Sequence, residues 1–257
     1  MKETTNLITF LSQGKKIVGE IDLPENPTDR AVIFAHGLSN SKAPADIPLL
    51  YAINTALVAA GYITMRFDFY GSGGSDGEFS DKTISTMKQN FLDAITFLKN
   101  EHSELRWVGV CGKSIGGNIL GLVGGDPRLS AYVLMTMRYS LAPFFAQFWK
   151  GEDEVALNGK VPPTGAVKGH FALRKDFFSE LPQIDAGVAS GLSKIPQALV
   201  IMNEGDEKIS LESATEVYRH LGGTKELLTV PGHDHELQAA TDSIIAAVVK
   251  FFNQSTT

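Results

Sequence analysis

Short apolar runs alternate with longer segments of helical apolar periodicity along most of the chain. Two runs rich in β-branched residues, 6–12 and 15–23, flank Gln13-Gly14 and predict an antiparallel hairpin. After this hairpin, continuous apolar runs predict buried strands, and segments with a 3.6-residue period predict helices. The predicted strands lie at 30–35, 62–67, 106–111, 132–136, 198–202 and 226–230, and the predicted helices at 49–60, 83–100, 115–123, 211–221 and 236–252. This β-α-β alternation predicts an α/β fold with a mostly parallel sheet of about eight strands flanked by helices.

The alternation is interrupted between residues 138 and 193. This segment is rich in aromatic residues, namely Tyr139, Phe144, Phe145, Phe148, Trp149, Phe171, Phe177 and Phe178. We expect an insertion between two strands to cover the carboxyl edge of the sheet. The sequence therefore predicts one core domain, residues 1–137 and 194–257, with a cap inserted at 138–193. Aromatic residues at helical spacing usually fix a cap onto its core, and Tyr139, Phe144, Phe148 and Trp149 are at the same time candidates for contact with substrate.

Composition and charge exclude several classes of protein. The chain has 257 residues, of which 43% are hydrophobic and 20% are charged, and its net charge is −6. One α/β domain can account for this length. The net negative charge is not typical of a protein that binds nucleic acid. The single cysteine, Cys111, excludes an intramolecular disulfide and favours a reducing compartment. No apolar run approaches the ~20 residues of a membrane span, and the first residues do not lead into a signal-peptide core. We therefore expect a cytoplasmic protein without a membrane span.

The strand predicted at 106–111 runs directly into residues 112–116, Gly-Lys-Ser-Ile-Gly. A Gly-x-Ser-x-Gly turn between a strand and a helix is typical of a nucleophile elbow, which exposes the serine hydroxyl near the helix N-terminus. A phosphate-binding loop is an alternative, but its pattern requires glycine at position 107, where the chain has Trp107. A glycine-rich turn without chemistry is a second alternative. The pattern makes Ser114 a candidate nucleophile if an acid and a base accompany it.

Candidate acids and bases follow the last two predicted strands. In an open α/β sheet they must lie on loops at the carboxyl ends of later strands, in the order serine, acid, histidine. The loop after the penultimate strand offers Asp206, with Glu204 and Glu207 as alternative acids. The loop after the last strand offers His233 and His235. A His-x-His pair could also bind a metal ion, but no further ligands cluster nearby in the sequence, so we predict no metal site.

An attack by Ser114 Oγ on an acyl carbonyl creates an oxyanion that preorganised N–H donors must stabilise. The first donor is expected from the backbone of Ile115, the residue after the nucleophile. The second is expected from Leu38, just past the predicted strand that ends at His36-Gly37. A histidine would take the serine proton and later return it to the leaving group, while the acid would hold the imidazole in the correct tautomer.

These motifs resemble those of the α/β-hydrolase fold superfamily, and the resemblance extends over nearly the full chain. Residues 36–38, His-Gly-Leu, resemble the oxyanion-loop motif. Residues 67–77, Phe-Asp-Phe-Tyr-Gly-Ser-Gly-Gly-Ser-Asp-Gly, resemble a segment of small bacterial carboxylesterases that include feruloyl and cinnamoyl esterases. Residues 232–235, Gly-His-Asp-His, are similar to the Gly-x-x-His of the family, and this resemblance implies that His235 rather than His233 is the base.

The acid loop also follows the family pattern, because Asp206-x-x-Ile209 matches it. Two positions depart from the pattern. Asn203 stands where that loop usually carries glycine, an exchange that asparagine tolerates because it also adopts positive φ. Lys113 stands where these esterases more often have histidine, tyrosine or a similar residue, and this departure bears on the substrate class rather than on the triad.

The resemblance implies a serine hydrolase, a carboxylesterase that cleaves esters of small apolar or aromatic acyl groups through an acyl-enzyme on Ser114. Asp206 and His235 would complete the triad, and no metal or organic cofactor is required. An acyl-thioesterase, a lysophospholipase or a small-amide hydrolase would use the same residues, and a non-catalytic binding protein on the same fold is the alternative from another class. The expected partner is a small-molecule ester, without nucleic acid, and a homodimer is left open.

Overall fold

The computed structural model describes residues 4–26, 28–160, 167–206 and 208–256. The strands within these residues are β1 (Thr4–Ser12), β2 (Lys15–Leu23), β3 (Arg30–Ala35), β4 (Ile63–Phe67), β5 (Trp107–Lys113), β6 (Ala131–Met135), β7 (Glu154–Ala156), β8 (Ala172–Arg174), β9 (Gln197–Asn203) and β10 (Thr224–Val230). The α-helices are α1 (Pro48–Ala59), α2 (Ile84–Glu101), α3 (Ile115–Leu122), α4 (Ala142–Ala146), α5 (Lys175–Ser179), α6 (Leu181–Leu192), α7 (Leu211–His220) and α8 (Thr241–Ser255).

Eight of these strands form one sheet in the order β1-β2-β4-β3-β5-β6-β9-β10. The strands from β4 to β10 in this order pair in parallel, whereas β2 pairs antiparallel with both β1 and β4. The turn between β1 and β2 has positive φ at Gln13 and Gly14, 51° and 76°, which matches the twist of a tight hairpin. The predicted mostly parallel eight-stranded sheet with an antiparallel edge is confirmed.

The central strands are buried on both faces, so their side chains alternate between two apolar clusters. Ile33 and Val110 belong to the cluster that contains residues of α2, α3 and α6. Val32, one position before Ile33, and Cys111, one position after Val110, belong to the cluster that contains residues of α1 and α8. Since parallel strands sandwiched between helix layers bury both faces, this packing explains why the strands read as continuous apolar runs.

The start of the last helix differs from the prediction. The periodicity predicts a helix from residue 236, but α8 begins at Thr241. Residues before it form a compact loop in which the Asp234 carboxylate accepts the amide N–H groups of Glu236 and Gln238, at 2.8 and 3.0 Å. Leu237 adopts a left-handed conformation with φ 61°. These local hydrogen bonds compete with a continuing helix and hold the histidine loop in a fixed shape.

Residues 138–193 divide into two parts. The first part contains α4, the two-stranded sheet of β7 and β8, and α5. The second part is α6, which packs against α3 so closely that a Cβ on Gly191 would lie 1.9 Å from the carbonyl oxygen of Gly121. A helix packed there between β6 and β9 acts as a crossover helix of the core. The cap boundaries remain a prediction, and this packing leads us to propose that the cap ends near residue 180.

No helix in the described part of the chain combines the length and apolarity needed to cross a lipid bilayer.

Candidate active site

Ser114 lies in the sharp turn between β5 and α3. Its φ of 55° and ψ of −126° fall in a region that residues with a Cβ rarely adopt. The flanking glycines are required by close packing: a Cβ on Gly116 would lie 2.1 Å from the carbonyl oxygen of Ala35, and one on Gly112 would lie 2.8 Å from the backbone of Gly116. The strained turn and the close approach of α3 to the sheet explain the Gly-x-Ser-x-Gly spacing.

His235 and Asp206 are hydrogen-bonded to each other, with Nδ1 of the histidine 2.8 Å from Oδ2 of the aspartate. Their side chains are only 7% and 3% exposed. The other carboxylate oxygen, Oδ1, accepts the amide N–H groups of Lys208 and Ile209 at 2.8 and 2.9 Å. Burial raises the pKa of Asp206, but the hydrogen bond from His235 and these two amides outweigh it and hold the pKa below its ordinary value. The carboxylate is therefore ionised and fixed in orientation.

The alternative acids and base do not make this contact. His233 is exposed, and its Nδ1 lies 3.2 Å from the carbonyl oxygen of Gly205. Glu204 is exposed as well, and Glu207 lies outside the described residues. Among the described candidates, the structure brings His235 and Asp206 together.

Ser114 and His235 line the same cavity, which has a volume of about 330 Å³. Aliphatic and aromatic side chains make up half of its lining residues, and polar or charged side chains make up the other half. The lining residues are Leu38, Ser114, Ile115, Asn118, Arg138, Leu141, Phe144, Phe145, Lys160, Lys208, Ile209 and His235.

The two predicted oxyanion donors, Leu38 and Ile115, are also in the wall of this cavity. Neither backbone amide donates a hydrogen bond to another described residue. The loop that carries Leu38 lies against the elbow, since a Cβ on Gly37 would lie 3.8 Å from the Cβ of Ser114. Both amides are thus available to an oxygen atom bound beside Ser114.

His36 orients the peptide that carries the Leu38 amide. Its Nε2 accepts the amide N–H of Phe69 at 3.2 Å, so Nδ1 carries the proton and donates to the carbonyl oxygen of Gly37 at 2.7 Å. That carbonyl and the N–H of Leu38 belong to one peptide group, and the hydrogen bond fixes its direction. Burial, assisted by the nearby Lys82 ammonium, lowers the pKa of His36 to about 4, so the imidazole is neutral at physiological pH.

Lys82 also contacts this loop, and the sequence did not single it out. It is 1% exposed, and its Nζ donates to the carbonyl oxygen of Leu38 at 2.7 Å and to the Ser72 hydroxyl at 2.6 Å. Burial lowers the pKa of Lys82 to about 7, although the charge of Asp68 opposes this shift. No motif predicts this contact, because Lys82 and Leu38 are 44 positions apart in the sequence and come together only in the folded protein.

Lys113, the departure from the esterase pattern, is buried and forms an ion pair with Glu236, with Nζ 2.7 Å from Oε2. Burial lowers the pKa of Lys113, and the charge of Glu236 opposes the shift. The pair connects the residue before Ser114 with the residue after His235. It therefore links the elbow to the histidine loop.

Of the four predicted cap residues, Phe144 is in the wall of the cavity. The other three are not among its described lining residues. Tyr139 stacks on the imidazole of His220 at 4.4 Å between ring centroids, and Trp149 stacks on a phenylalanine of α5. Phe148 packs edge-on against Phe144. Tyr139 thus contacts the core, Phe148 and Trp149 contact other residues of the cap, and the contribution of all three to substrate binding stays a prediction.

Several lining residues were missed because they carry no motif. They are Asn118, Arg138, Leu141, Phe145, Lys160 and Lys208. One signal could have identified Arg138: it lies two residues after the predicted strand at 132–136, and side chains just past the end of a strand reach the carboxyl edge of the sheet. Within the described residues, no three His, Cys, Asp or Glu side chains converge as a metal ion would require.

Comparison with known proteins identifies the fold. No protein-family model and no curated protein matches the chain. Among solved structures, Est1E from Butyrivibrio proteoclasticus with bound ferulic acid is 20% identical with a TM-score of 0.78, covering 97% of this chain and 99% of that one. The esterase Pf2001 from Pyrococcus furiosus is 17% identical with a TM-score of 0.72, covering 98% and 93%. The α/β hydrolase GrgF from Penicillium sp. sh18 is 15% identical with a TM-score of 0.75, covering 98% and 99%. The chain has the α/β-hydrolase fold, as its motifs predict.

Proposed function

We propose that the protein is a serine hydrolase, a carboxylesterase that cleaves esters of small apolar or aromatic acyl groups. The observation that carries this proposal is the convergence of three parts on one cavity. Ser114 is held in a strained elbow, His235 shares its cavity and bonds to Asp206, and two free amides flank the serine. This is the set of groups that acyl transfer requires.

In the proposed mechanism His235 Nε2 accepts the proton of Ser114 Oγ as the oxygen attacks the ester carbonyl. Asp206 stabilises the resulting imidazolium, and the amides of Leu38 and Ile115 donate to the oxyanion. The imidazolium then donates its proton to the departing alkoxide, which leaves an acyl-enzyme on Ser114. Water, deprotonated by the same imidazole, hydrolyses the acyl-enzyme and restores the site.

The substrate class is supported by the cavity. A volume of about 330 Å³ suits a ligand of modest size, and the aromatic wall favours an apolar or aryl group. Est1E, the neighbour with bound ferulic acid, is consistent with such a group in this fold. The same groups would also serve an acyl-thioesterase, a lysophospholipase or a small-amide hydrolase. We retain a cytoplasmic location, a small-molecule partner and the open question of a homodimer as expectations from the sequence.

The roles of the two histidines provide a sharp test of this proposal. We expect Ser114→Ala and His235→Ala each to lower kcat for 4-nitrophenyl butyrate by a factor on the order of 10⁴ or more, because each removes an essential group. The matched control is His233→Ala, which removes an exposed imidazole two residues away and should leave kcat within about threefold. Circular dichroism of each variant verifies that the fold is retained.

Two results would contradict the proposal. If folded Ser114→Ala still hydrolysed the ester at the wild-type rate, the nucleophile would lie elsewhere. If His233→Ala lost more activity than His235→Ala, the base would be wrongly assigned. A folded wild-type protein that hydrolysed neither esters, thioesters nor amides would favour a non-catalytic binding protein.

A further inference from the structure

The cavity beside Ser114 has an unusual balance of charge for an acidic protein. The chain as a whole carries a net charge of −6, yet three cationic side chains, Arg138, Lys160 and Lys208, line this cavity. No aspartate or glutamate is in its wall within the described part of the chain. Several cationic side chains in the wall of one cavity create a local positive potential there, and this potential attracts anions.

Among the described residues, Arg138 makes more side-chain contacts than the other two cations. Its guanidinium carbon lies 3.9 Å from the ring centroid of Phe144, and one of its Nη2–H groups donates to the carbonyl oxygen of Lys208. Its own carbonyl accepts from the Asn118 side chain at 2.7 Å. A guanidinium carries five N–H donors, so several remain after this one bond. The side chain is fixed before a ligand arrives, and this reduces the entropy lost on binding.

Arg138 is not paired directly with a carboxylate among the described residues. None of the three cations forms an ion pair with a described acidic side chain. Asp206 is close enough to influence Arg138, but both of its oxygens are already used, one by His235 and the other by two backbone amides. The Asp206 carboxylate therefore reduces the positive charge at this wall, but no direct ion pair among the described residues neutralises it.

We propose that the site selects esters that carry a second, anionic group, a carboxylate held by Arg138 with Lys208 and Lys160. The inference rests on the proposed esterase function and names its substrate class. The apolar wall of Leu141, Phe144 and Phe145 would hold the carbon skeleton between the scissile ester and the charge. A planar guanidinium matches a carboxylate in two parallel hydrogen bonds, which makes Arg138 the principal contact.

The experiment compares pairs of esters that differ only in this charge. The mono-4-nitrophenyl esters of succinate, glutarate, adipate and suberate each keep one free carboxylate. Each is compared with the diester in which that carboxylate is converted to a methyl ester. The spontaneous release of 4-nitrophenol is subtracted from every rate. A second pair, 4-acetoxybenzoate and its methyl ester, carries the charge on the leaving group instead. The measured quantity is the ratio of kcat/KM for the anionic ester to that for its neutral partner, which is insensitive to the fraction of folded enzyme.

We expect the ratio to reach roughly tenfold or more for at least one acid, which corresponds to one charge-assisted hydrogen-bonded contact. The ratio should fall by about tenfold in Arg138→Gln. It should fall less in Arg138→Lys, because lysine keeps the positive charge but lacks the paired N–H donors of the guanidinium. Lys208→Gln should lower it by a smaller factor, because an ammonium does not form the two parallel hydrogen bonds that a guanidinium makes with a carboxylate. The matched control, Lys250→Gln, removes one charge from an exposed position on α8 and should leave the ratio unchanged. Added salt should reduce the wild-type ratio.

The outcomes separate the two proposals. If neutral diesters are hydrolysed but no pair gives a ratio above one, the anionic substrate class is wrong and the esterase proposal stands. If Arg138→Gln lowers the ratio no more than Lys250→Gln, Arg138 does not bind the anion. If no ester of either kind is hydrolysed by the folded enzyme, both proposals are overturned together.

Discussion

At the scale of single residues, burial determines the chemistry of the side chains around Ser114. The identities of Ser114, Asp206 and His235 as candidates could be predicted from the sequence, because their order and positions after strands follow from the topology of a parallel sheet. The charge states and partners of the supporting groups could not, since neither the neutral imidazole of His36 nor the buried ammonium of Lys82 has a local pattern that reveals them. Their pKa values depend on desolvation by distant segments of the chain.

The lowered pKa of His36 predicts a specific pH dependence of stability. The pKa is about 4 in the folded protein, against 6.5 for the free side chain, so the unfolded chain binds more protons between these values. Stability should therefore rise with pH across this window and be lost as the pH falls from about 6.5 to 4. Between pH 7 and pH 4.5 the shifted pKa of His36 should lower the free energy of unfolding by about 2 kcal/mol.

Urea unfolding of wild type and His36→Asn at these two pH values measures this contribution. Asparagine keeps a donor close to the position of Nδ1 and does not titrate, so the variant should lose about 2 kcal/mol less than wild type between pH 7 and 4.5. Equal losses in the two proteins would mean that protonation of His36 does not oppose folding.

At the scale of elements, the apolar periodicity was sufficient to predict every strand of the main sheet and each helix that flanks it outside residues 138–193. The errors lie where polar or glycine-rich residues continue an element or interrupt one. Gly112 and Lys113 read as a turn, yet they pair with Leu134 and Met135 and extend β5 by two residues beyond the predicted strand. The short elements of the cap were not predicted, because helices of five residues and strands of three show no periodicity.

The packing of α3 against the sheet predicts a contrast between two glycines of that helix. Gly116→Ala would drive a Cβ into the backbone of Ala35, at 2.1 Å, and backbone at the centre of the sheet cannot move aside. We expect a loss of about 3 kcal/mol in the free energy of unfolding and a large loss of esterase activity. Gly121→Ala, in the same helix, would meet a side-chain carbon of Val188 at 3.2 Å, which can adjust.

Denaturant unfolding of the two alanine variants measures this difference, and Gly121→Ala is expected to lie within about 1 kcal/mol of wild type. If Gly116→Ala proved as stable as Gly121→Ala, the close approach of α3 to β3 would not be the reason for glycine at the end of the elbow motif.

At the scale of the whole molecule, the fold gathers at one sheet edge residues that are far apart in the sequence. Ser114 follows β5, Asp206 follows β9, His235 follows β10, and Arg138 follows β6. The net acidic charge of the chain gives no hint of the cationic wall, since its three basic residues come from separate segments. Topology therefore made the three candidate residues predictable, whereas the charge of the cavity depends on how the cap and the acid loop pack together.

Covalent labelling with a fluorophosphonate probe determines whether Ser114 is an activated nucleophile. We predict that the folded wild-type protein gains the mass of one adduct, that peptide mapping locates it on Ser114, and that neither Ser114→Ala nor denatured wild type is labelled. The absence of an adduct on folded wild type, or an adduct that persists in Ser114→Ala, would contradict the account.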